Sequence, residues 1–215
     1  MAMDVRSFTV GPVAENCYFV RAEGASEAIV IDPGDEAQRL LGAIDELGLD
    51  VKAILLTHTH FDHVGAVAEV AAATGAPVYC PVLEVGVLAD VMSFVPPGFG
   101  PFESYEADET VAGGERLELA GLEIEVLFTP GHSPGHVTYS IPAEHALFSG
   151  DVLFEGSIGR TDLPGGDTAT LMRTLADLVA AHSDDTRVFP GHMGLTTIGR
   201  ERATNPFLRE FAANR

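Results

Sequence analysis

The sequence predicts an α/β protein in which helices cover mixed β-sheets. Three observations support this fold class. Short apolar strands alternate with helical segments in two similar halves of the chain. Residues 116–128 (RLELAGLEIEVLF) alternate between apolar and polar side chains, which is typical of a hairpin with one solvated face. Residues 167–182 place leucines and a valine on one face of a predicted helix.

Five strands and two helices are predicted in the first half of the chain. The strands are VRSFTV (5–10), NCYFV (16–20), EAIVI (27–31), AILL (53–56) and PVYC (77–80). The first helix follows the turn DPGD and has apolar residues at helical spacing, namely Leu40, Leu41, Ile44 and Leu47. The second helix is predicted over residues 64–75, where Gly75 ends it.

The second half adds the hairpin, three more strands and the helix over residues 167–182. The strands are VTYSI (137–141), ALFS (146–149) and RVFP (187–190). Between the halves, residues 93–106 (SFVPPGFGPFESYE) contain adjacent prolines and two glycines, so no regular element is expected there. This aromatic segment either packs on its own domain or a second subunit, or it forms a wall or lid of a binding cleft.

Size and charge limit the classes of function. With 215 residues, 46% of them hydrophobic, the chain is expected to form a single domain over residues 1–215. The net charge of −20, with Lys52 as the only lysine, disfavours binding to nucleic acid. No apolar run reaches the length of a signal peptide or a membrane span, so a cytoplasmic protein without membrane contact is expected. Cys17 and Cys80 lie among apolar residues, which predicts buried free thiols.

The stretch LLTHTHFDHVGA (55–66) crowds three histidines and an aspartate into six positions. These are His58, His60, Asp62 and His63. Imidazole and carboxylate groups are ligands for borderline metals, and a loop that leaves a strand can present them together. In an extended chain, His58, His60 and Asp62 would share one side and His63 the other, so the stretch can serve two metal ions. Asp62 also fits a cap for the helix near residue 64.

Three further candidate ligands each follow a predicted strand, in a loop that contains glycine or proline. They are His132 in TPGHSPGH, Asp151 in LFSGD and His192 in FPGH. A rigid sheet can direct such loop residues to one point. His136 is expected to have a structural role or to support a ligand. His145 and His182 lie in polar stretches and are expected to be solvated.

The pattern HxHxDH, followed by a later His, Asp and His, resembles the metallo-β-lactamase-fold hydrolases over nearly the whole chain. GSIGRTDLPGGD (156–167) and TTIGRERATNPFL (196–208) are similar to the small, single-domain relatives of glyoxalase II, the hydroxyacylglutathione hydrolases. The resemblance implies a four-layer αβ/βα sandwich, with two mixed sheets packed face to face, helices outside and metals at one rim. The 23 residues after His192 are too few for the C-terminal glutathione-binding domain of full glyoxalase II.

The resemblance also implies two divalent metal ions, with zinc expected and iron or manganese as alternatives. It places the first ion at His58, His60 and His132, the second at Asp62, His63 and His192, and Asp151 as the bridge between them. Asp32 in VIDPG matches an aspartate near the site that orients a ligand by hydrogen bonding. An aspartate before Pro-Gly fits a turn equally well.

These features predict an enzyme that hydrolyses a thioester of the hydroxyacylglutathione (S-lactoyl-thiol) type by attack of a metal-bound hydroxide. Asp62 and Asp151 are the expected catalytic carboxylates. Arg160 in GRTD resembles a basic residue that grips a glutathione carboxylate, and it also fits an internal pair with Asp162 or Asp167. A mononuclear iron persulfide dioxygenase is the alternative. The expected partner is a small-molecule substrate, and the sequence leaves a homo-oligomer open.

Overall fold

Two six-stranded sheets lie face to face in the computed structural model, which describes residues 2–209. The first sheet contains, in order, β1 (Met3–Val10), β2 (Glu15–Ala22), β3 (Glu27–Ile31), β4 (Asp50–Leu55), β5 (Val78–Pro81) and β6 (Glu109–Val111). The second contains, from one edge to the other, β14 (Thr196–Thr197), β13 (Arg187–Pro190), β10 (Ala146–Gly150), β9 (Val137–Ile141), β8 (Leu122–Phe128) and β7 (Arg116–Leu119). A small hairpin joins β11 (Leu153–Phe154) to β12 (Ser157–Ile158).

Both sheets are mixed. In the first sheet, β1 to β3 pair antiparallel and β3 to β6 pair parallel. In the second, β10 and β13 are parallel, and β8 and β10 are both antiparallel to β9, so β8, β10 and β13 run in one direction. The carboxyl ends of these three strands therefore reach the same edge of the sheet, which matters for the site.

Strand alternation separates the core into layers. On β2, Tyr18 and Val20 face the second sheet while Phe19 faces outward, and on β10 Phe148 faces the first sheet while Leu147 faces outward. The Tyr18 hydroxyl donates to the Pro190 carbonyl of the opposite sheet at 2.7 Å. One apolar layer therefore lies between the sheets, and the outer face of each sheet carries a further apolar layer that helices must cover.

Helices cover both outer layers. They are α1 (Ala37–Glu46), α2 (Phe61–Val64), α3 (Val67–Thr74), α4 (Val85–Leu88), α5 (Thr168–Ala181) and α6 (Ile198–Thr204). Leu40 of α1 and Val70 of α3 are buried on the first sheet, and Leu175 of α5 and Ile198 of α6 are buried on the second. Asp167 caps α5 by accepting a hydrogen bond from the Thr170 N–H at 2.6 Å. The predicted four-layer α/β sandwich is confirmed.

The predicted helix over residues 64–75 is wrong in one respect, because it is broken in two. α2 begins earlier, at Phe61, and α3 starts at Val67 and ends at Gly75 with φ 70°. The Ala66 N–H donates to the Pro33 carbonyl at 3.0 Å instead of continuing the helix. The elements that sequence periodicity missed have two to seven residues (β6, β11, β12, β14, α2, α4 and α6), too short to show a period.

The aromatic segment over residues 93–106 is irregular, as predicted, apart from a single 3₁₀ turn that ends at Ser93. Phe99 and Phe102 lie on Phe61, with ring centroids 4.7 and 6.1 Å apart, so the segment packs on its own domain. Phe94 instead is 60% exposed and lines a cleft. Cys17 and Cys80 are buried free thiols, and no described helix is long and apolar enough to cross a membrane.

Candidate metal centre

Five strands end at one rim of the two sheets, and each leads to side chains that can bind metal. β3 leads to Asp32, β4 to residues 57–63, β8 to His132, β10 to Asp151 and β13 to His192. Since β3 and β4 run together and β8, β10 and β13 run together, their following loops are neighbours. Strand direction therefore gathers residues that lie far apart in sequence.

Three imidazoles converge at this rim. His58 Nε2 lies 3.1 Å from His60 Nδ1 and 3.2 Å from His132 Nε2, and the latter two nitrogens are 2.8 Å apart. On the far side of its ring, His132 Nδ1 donates to the Arg160 carbonyl at 2.7 Å, and His58 Nδ1 contacts Thr57 Oγ1 at 3.1 Å. The inward nitrogens thus present lone pairs to one another, which is favourable when a cation lies between them. This first group can hold a metal ion.

Asp62, His63 and His192 form a second group with suitable spacing. His192 Nε2 lies 3.3 Å from Asp62 Oδ2, and His63 Nε2 lies 3.9 Å from the same oxygen. Asp151 lies between the groups. Its Oδ2 is 3.4 Å from His132 Nε2 and 3.5 Å from His192 Nε2, so one carboxylate is within reach of both groups.

Two buried atoms at this centre have no hydrogen-bond partner within residues 2–209. They are His63 Nε2 and Asp151 Oδ1, which lie 3.3 Å apart. In metal-free protein the protonated His63 ring faces this carboxylate oxygen as an ion pair. Bound metal ions would satisfy both atoms, and imidazole with carboxylate suits zinc, iron or manganese. The residues present therefore fit the expected metal ions.

The predicted alternation of side chains holds for His58 and His60 and is wrong for Asp62. α2 begins at Phe61, so Asp62 and His63 lie on a helical turn rather than an extended chain. Neighbours on a helix are about 100° apart, which lets both side chains approach His192. α2 has no side-chain cap hydrogen bond among the described residues, so the alternative role of Asp62 as a cap is wrong too.

Asp32 supports the second group through the outer nitrogen of His63. Its Oδ1 accepts a hydrogen bond from the Thr57 N–H at 2.7 Å, and its Oδ2 accepts from the Thr57 hydroxyl at 2.6 Å and from His63 Nδ1 at 3.0 Å. Asp32, His58 and His63 also lie close enough together to hold an ion, but these hydrogen bonds already use both carboxylate oxygens of Asp32. Asp32 has φ 48°, in the left-handed region, but residues 32–34 form no turn, so the alternative role of Asp32 in a turn is wrong.

His136 is fully buried and supports Asp151. The Asp151 N–H donates to His136 Nε2, and His136 Nδ1 contacts Thr129 Oγ1, both at 3.0 Å. Burial lowers the pKa of His136 well below its usual value, so the ring is a neutral acceptor. His145 is exposed, as expected, whereas His182 is half-buried.

Glu84 is a buried carboxylate that the sequence interpretation missed. Its Oε1 accepts from the Ser133 hydroxyl at 2.7 Å and the Gly135 N–H at 2.8 Å. Its Oε2 accepts from the Thr59 hydroxyl at 2.8 Å and the Thr59 N–H at 3.3 Å. Glu84 thus ties the loop that carries His58 and His60 to the loop that carries His132. Glu84 could have been found from the sequence, because it follows the carboxyl end of β5. The candidate ligands His132, Asp151 and His192 were identified by the same kind of position.

Glu15 is a second buried acid that the sequence interpretation missed. Both its carboxylate oxygens lack a hydrogen-bond partner within the described chain, and Oε1 lies 3.8 Å from His63 Nδ1. Burial raises the pKa of Glu15 well above its usual value. An acidic residue inside the apolar strand AENCYFV was the available signal.

The two groups of donors differ in their protonation. Burial lowers the pKa of His58 well below its usual value and that of His60 to about 4. Burial also disfavours the charged form of His63 and His192, but the carboxylates of Asp151 and Asp62 outweigh it and raise both pKa values. The same imidazoles hold the pKa of Asp151 below its usual value despite burial. The His58 and His60 rings are therefore neutral, whereas His63 and His192 pair with carboxylates.

A cleft of about 690 Å³ opens beside the metal-binding side chains. His60, Asp62, His132, Asp151 and His192 form one part of its lining. The other walls are mainly apolar and include Val13, Leu83, Val87, Phe94, Phe154, Ile158 and Met193. A substrate in this cleft would therefore contact the candidate metal ligands directly.

Arg160 also lines the cleft but does not offer a free cation. Its Nε and Nη2 donate to Asp162 Oδ1 and Oδ2 at 2.7 and 2.8 Å, which is a bidentate pair. This pair lowers the pKa of Asp162 to about 2. Of the two internal partners predicted for Arg160, Asp162 is therefore correct, whereas Asp167 caps α5. A role of Arg160 in gripping a substrate carboxylate stays a prediction.

Two curated relatives match nearly the full chain. The chain is 39% identical over 215 residues to "Probable metallo-hydrolase YqgX" of Bacillus subtilis (strain 168), covering 98% of this chain and 100% of that protein. It is 36% identical over 209 residues to "Hydroxyacylglutathione hydrolase GloC" of Haemophilus influenzae (strain ATCC 51907 / DSM 11121 / KW20 / Rd), covering 96% and 98%.

Solved structures share the fold. The crystal structure of BLEG-1 B3 metallo-beta-lactamase has a TM-score of 0.90 at 38% identity, covering 95% of this chain and 99% of that one. TTHA1623 in a di-iron-bound form has a TM-score of 0.77 at 42% identity, covering 94% and 100%. The profile of the Metallo-beta-lactamase superfamily matches residues 10–192, which span all seven candidate ligands. With this match, the fold and the two relatives, the chain belongs to the metallo-beta-lactamase superfamily.

Proposed function

We propose that this single-domain protein is a binuclear metal-dependent hydrolase of thioesters, acting on a hydroxyacylglutathione-like (S-lactoyl-thiol) substrate. The observation that carries this proposal is the position of Asp151, whose Oδ2 lies within 3.5 Å of nitrogens from both donor groups. A mononuclear site would leave one group without a role. The hydroxyacylglutathione hydrolase at 36% identity supports the choice of substrate.

Each donor group holds one divalent ion in this proposal. The first ion is held by His58, His60 and His132, the second by Asp62, His63 and His192, and both by Asp151. Zinc is the expected metal, and the di-iron-bound relative supports iron as an alternative. His63 and His132 are oriented through their outer nitrogens by Asp32 and the Arg160 carbonyl.

Bound divalent ions supply Lewis acidity and lower the pKa of water from about 15.7 to about 7. Asp62 and Asp151 line the cleft, so the carboxylates that would hold the ions also face the reacting atoms. A substrate in the cleft would cover its apolar walls, and the water displaced on binding would strengthen electrostatic interactions around the thioester carbonyl. A thiolate leaves readily, so no separate acid from the chain is needed.

Metal analysis and turnover on the same preparation test the proposal. Protein purified without added metal is expected to contain about two ions per chain, as the two donor groups require. It is expected to hydrolyse S-D-lactoylglutathione. Asp151→Asn should lose metal and activity together, because one carboxylate serves both groups.

Two outcomes would contradict the proposal. One iron per chain with persulfide-dependent oxygen uptake and no thioester hydrolysis would favour a dioxygenase instead. An Asp151→Asn variant that keeps both ions and full turnover would remove Asp151 from the centre.

A further inference from the structure

Four of the nine exposed large apolar side chains among residues 2–209 line the cleft beside the candidate metal centre. Leu83 is 64%, Phe94 60% and Met193 58% exposed, and all three line the same cleft. Val13, at 38%, lines it as well. Large apolar side chains exposed together around one concave site are typical of ligand contact.

Met193 is held there against its backbone preference. It has φ 69°, in the left-handed region that is unfavourable for a residue with a side chain. Asn16 Nδ2 donates to the Met193 carbonyl at 3.0 Å and to the Pro190 carbonyl at 3.1 Å, which stabilises this conformation. A strained backbone that presents an exposed methionine to the cleft does not serve core packing, so it points to ligand contact.

Phe94 is positioned by an anchored segment. Phe99 and Phe102 pack on Phe61, which precedes Asp62 of the metal centre. The Val91 N–H donates to Ser104 Oγ at 3.1 Å, which joins the end of the segment to the 3₁₀ turn that precedes Phe94. Phe94 therefore belongs to a fixed wall of the cleft.

Outside the metal centre, the side chains of the cleft offer little charge that a substrate carboxylate could bind. The chain carries a net charge of −20, and Arg160, the cation that lines the cleft, is already paired with Asp162 through two hydrogen bonds. A substrate carboxylate would have to displace Asp162 to pair with this guanidinium. Free carboxylates on the substrate thus gain little here.

We infer that the cleft selects thioesters with an uncharged, apolar substituent, bound by Val13, Leu83, Phe94 and Met193. The inference rests on the proposed thioester hydrolysis and names the chemistry that the site recognises. The apolar chain comes from either the acyl group or the thiol, and the two arms of the test separate these sources.

The test uses the full-length, metal-loaded protein. In the acyl arm, S-acetyl-, S-butanoyl- and S-hexanoyl-N-acetylcysteamine are compared. In the thiol arm, the acetyl thioesters of ethanethiol and hexanethiol are compared. A fully buried methylene is worth roughly fourfold in affinity. In an open cleft we expect kcat/KM to rise about tenfold over four methylenes in one arm, and the longest substrate of that arm to exceed S-D-lactoylglutathione.

Exposed residues provide matched variants. Leu83→Asn and Phe94→Asn should each reduce the chain-length preference several-fold. Val82→Asn is the control, since Val82 is 44% exposed but does not line the cleft. Equal kcat/KM along both arms, faster turnover of S-D-lactoylglutathione, or an equal effect of Val82→Asn would overturn the inference.

Binding of inert thioethers separates this inference from the proposed function. Calorimetry compares S-hexyl- with S-ethyl-N-acetylcysteamine, and the S-hexyl compound is expected to bind at least about tenfold more tightly. If no thioester is hydrolysed but this preference is present and is lost in Leu83→Asn, the hydrolase proposal fails and the apolar site stands. If thioesters are hydrolysed without any preference, the hydrolase stands and the apolar site fails.

Discussion

At the scale of single residues, the outer hydrogen bonds decide which nitrogen of each ring faces the centre. Asp32 accepts a hydrogen bond from His63 Nδ1, and the Arg160 carbonyl accepts one from His132 Nδ1. Nε2 of both rings therefore points toward the centre. His60 differs, because its Nδ1 faces the other imidazoles. The geometry of the centre therefore depends on groups that do not touch it.

Asp32→Asn tests this dependence. If the oxygen of the substituted Asn side chain still accepts the hydrogen bond from the Thr57 N–H, its NH₂ group faces His63 Nδ1. Both of these groups are donors, so the hydrogen bond to His63 is lost. We expect metal affinity to fall about 10–100-fold, as for other groups that orient metal-binding histidines. Competition with a chelator measures the loss, and Asp45→Asn is an exposed control on α1. Unchanged affinity in Asp32→Asn would show that the ring is held by packing alone.

At the scale of elements, short segments are fixed by buried carboxylates that join them. Glu201 of α6 accepts hydrogen bonds from the Gly156 N–H and Asn205 Nδ2, both at 2.8 Å, and Asn205 Nδ2 also donates to the Ser157 carbonyl at 3.0 Å. α6 thereby holds the β11–β12 hairpin, which lines the cleft. The stretches GSIGRTD and TTIGRERATNPF, far apart in sequence, form one structural unit.

Glu84→Gln tests the link between the two histidine loops. Each carboxylate oxygen of Glu84 accepts one backbone N–H, from Thr59 or Gly135, so either orientation of a Gln amide leaves an N–H facing an NH₂ group. We expect a loss of about 1–3 kcal/mol in the free energy of unfolding. Affinity for the first metal should fall more than affinity for the second, as read from stepwise cobalt(II) spectra. Glu118→Gln, on the exposed face of the hairpin, is the control, and equal losses of both metals would argue against the link.

Substitution of glycine by alanine is expected to have opposite effects on stability at two positions, Gly159 and Gly42. A Cβ at Gly159 would lie 1.9 Å from the Asp151 carbonyl oxygen, whereas a Cβ at Gly42 in α1 meets nothing within 4 Å. Gly159→Ala should cost about 1–3 kcal/mol or more through overpacking, and Gly42→Ala should stabilise by about 0.5–1 kcal/mol. Urea unfolding measures both. An unchanged free energy of unfolding in Gly159→Ala would mean that the loop with Asp151 can shift without cost.

At the scale of the whole molecule, a strongly acidic chain places two imidazoles with raised pKa values among carboxylates at one centre. Asp151 and Asp62 raise the pKa of His63 and His192, so metal-free protein holds protons where metal ions are expected. Metal binding must displace these protons, and metal affinity should increase with pH.

Metal-free protein should show this in its pH dependence. Imidazole NMR signals are expected to titrate near pH 4 for His60 and well above pH 6.5 for His63. A raised pKa stabilises the fold at low pH, and this contribution is lost as pH rises through the folded-state value. Unfolding in urea should therefore become easier as pH rises above about 6.5, the ordinary pKa of histidine. His63→Gln assigns the signal, and a His63 that titrates below its ordinary value would contradict the charge pairing.

The sequence by itself determined the fold class, the long strands and helices, and the identity of the candidate ligands. Periodicity is a local property, so α1, α5 and the β7–β8 hairpin were readable from apolar spacing. The candidate ligands could be found because each follows a strand that periodicity predicts. Short elements such as α6 and β14 could not, since their hydrogen bonds come from distant residues.

The family resemblance implied how the ligands divide between two groups, and only the tertiary structure decided the distances between them and the hydrogen bonds that support them. These distances depend on strand direction in two sheets and on the break between α2 and α3, where the Ala66 N–H donates to the Pro33 carbonyl. The supports, Asp32 and Glu84, act across 25 or more residues of chain. Distances between loops are set by packing of the sheets, and a sequence pattern carries no such distance.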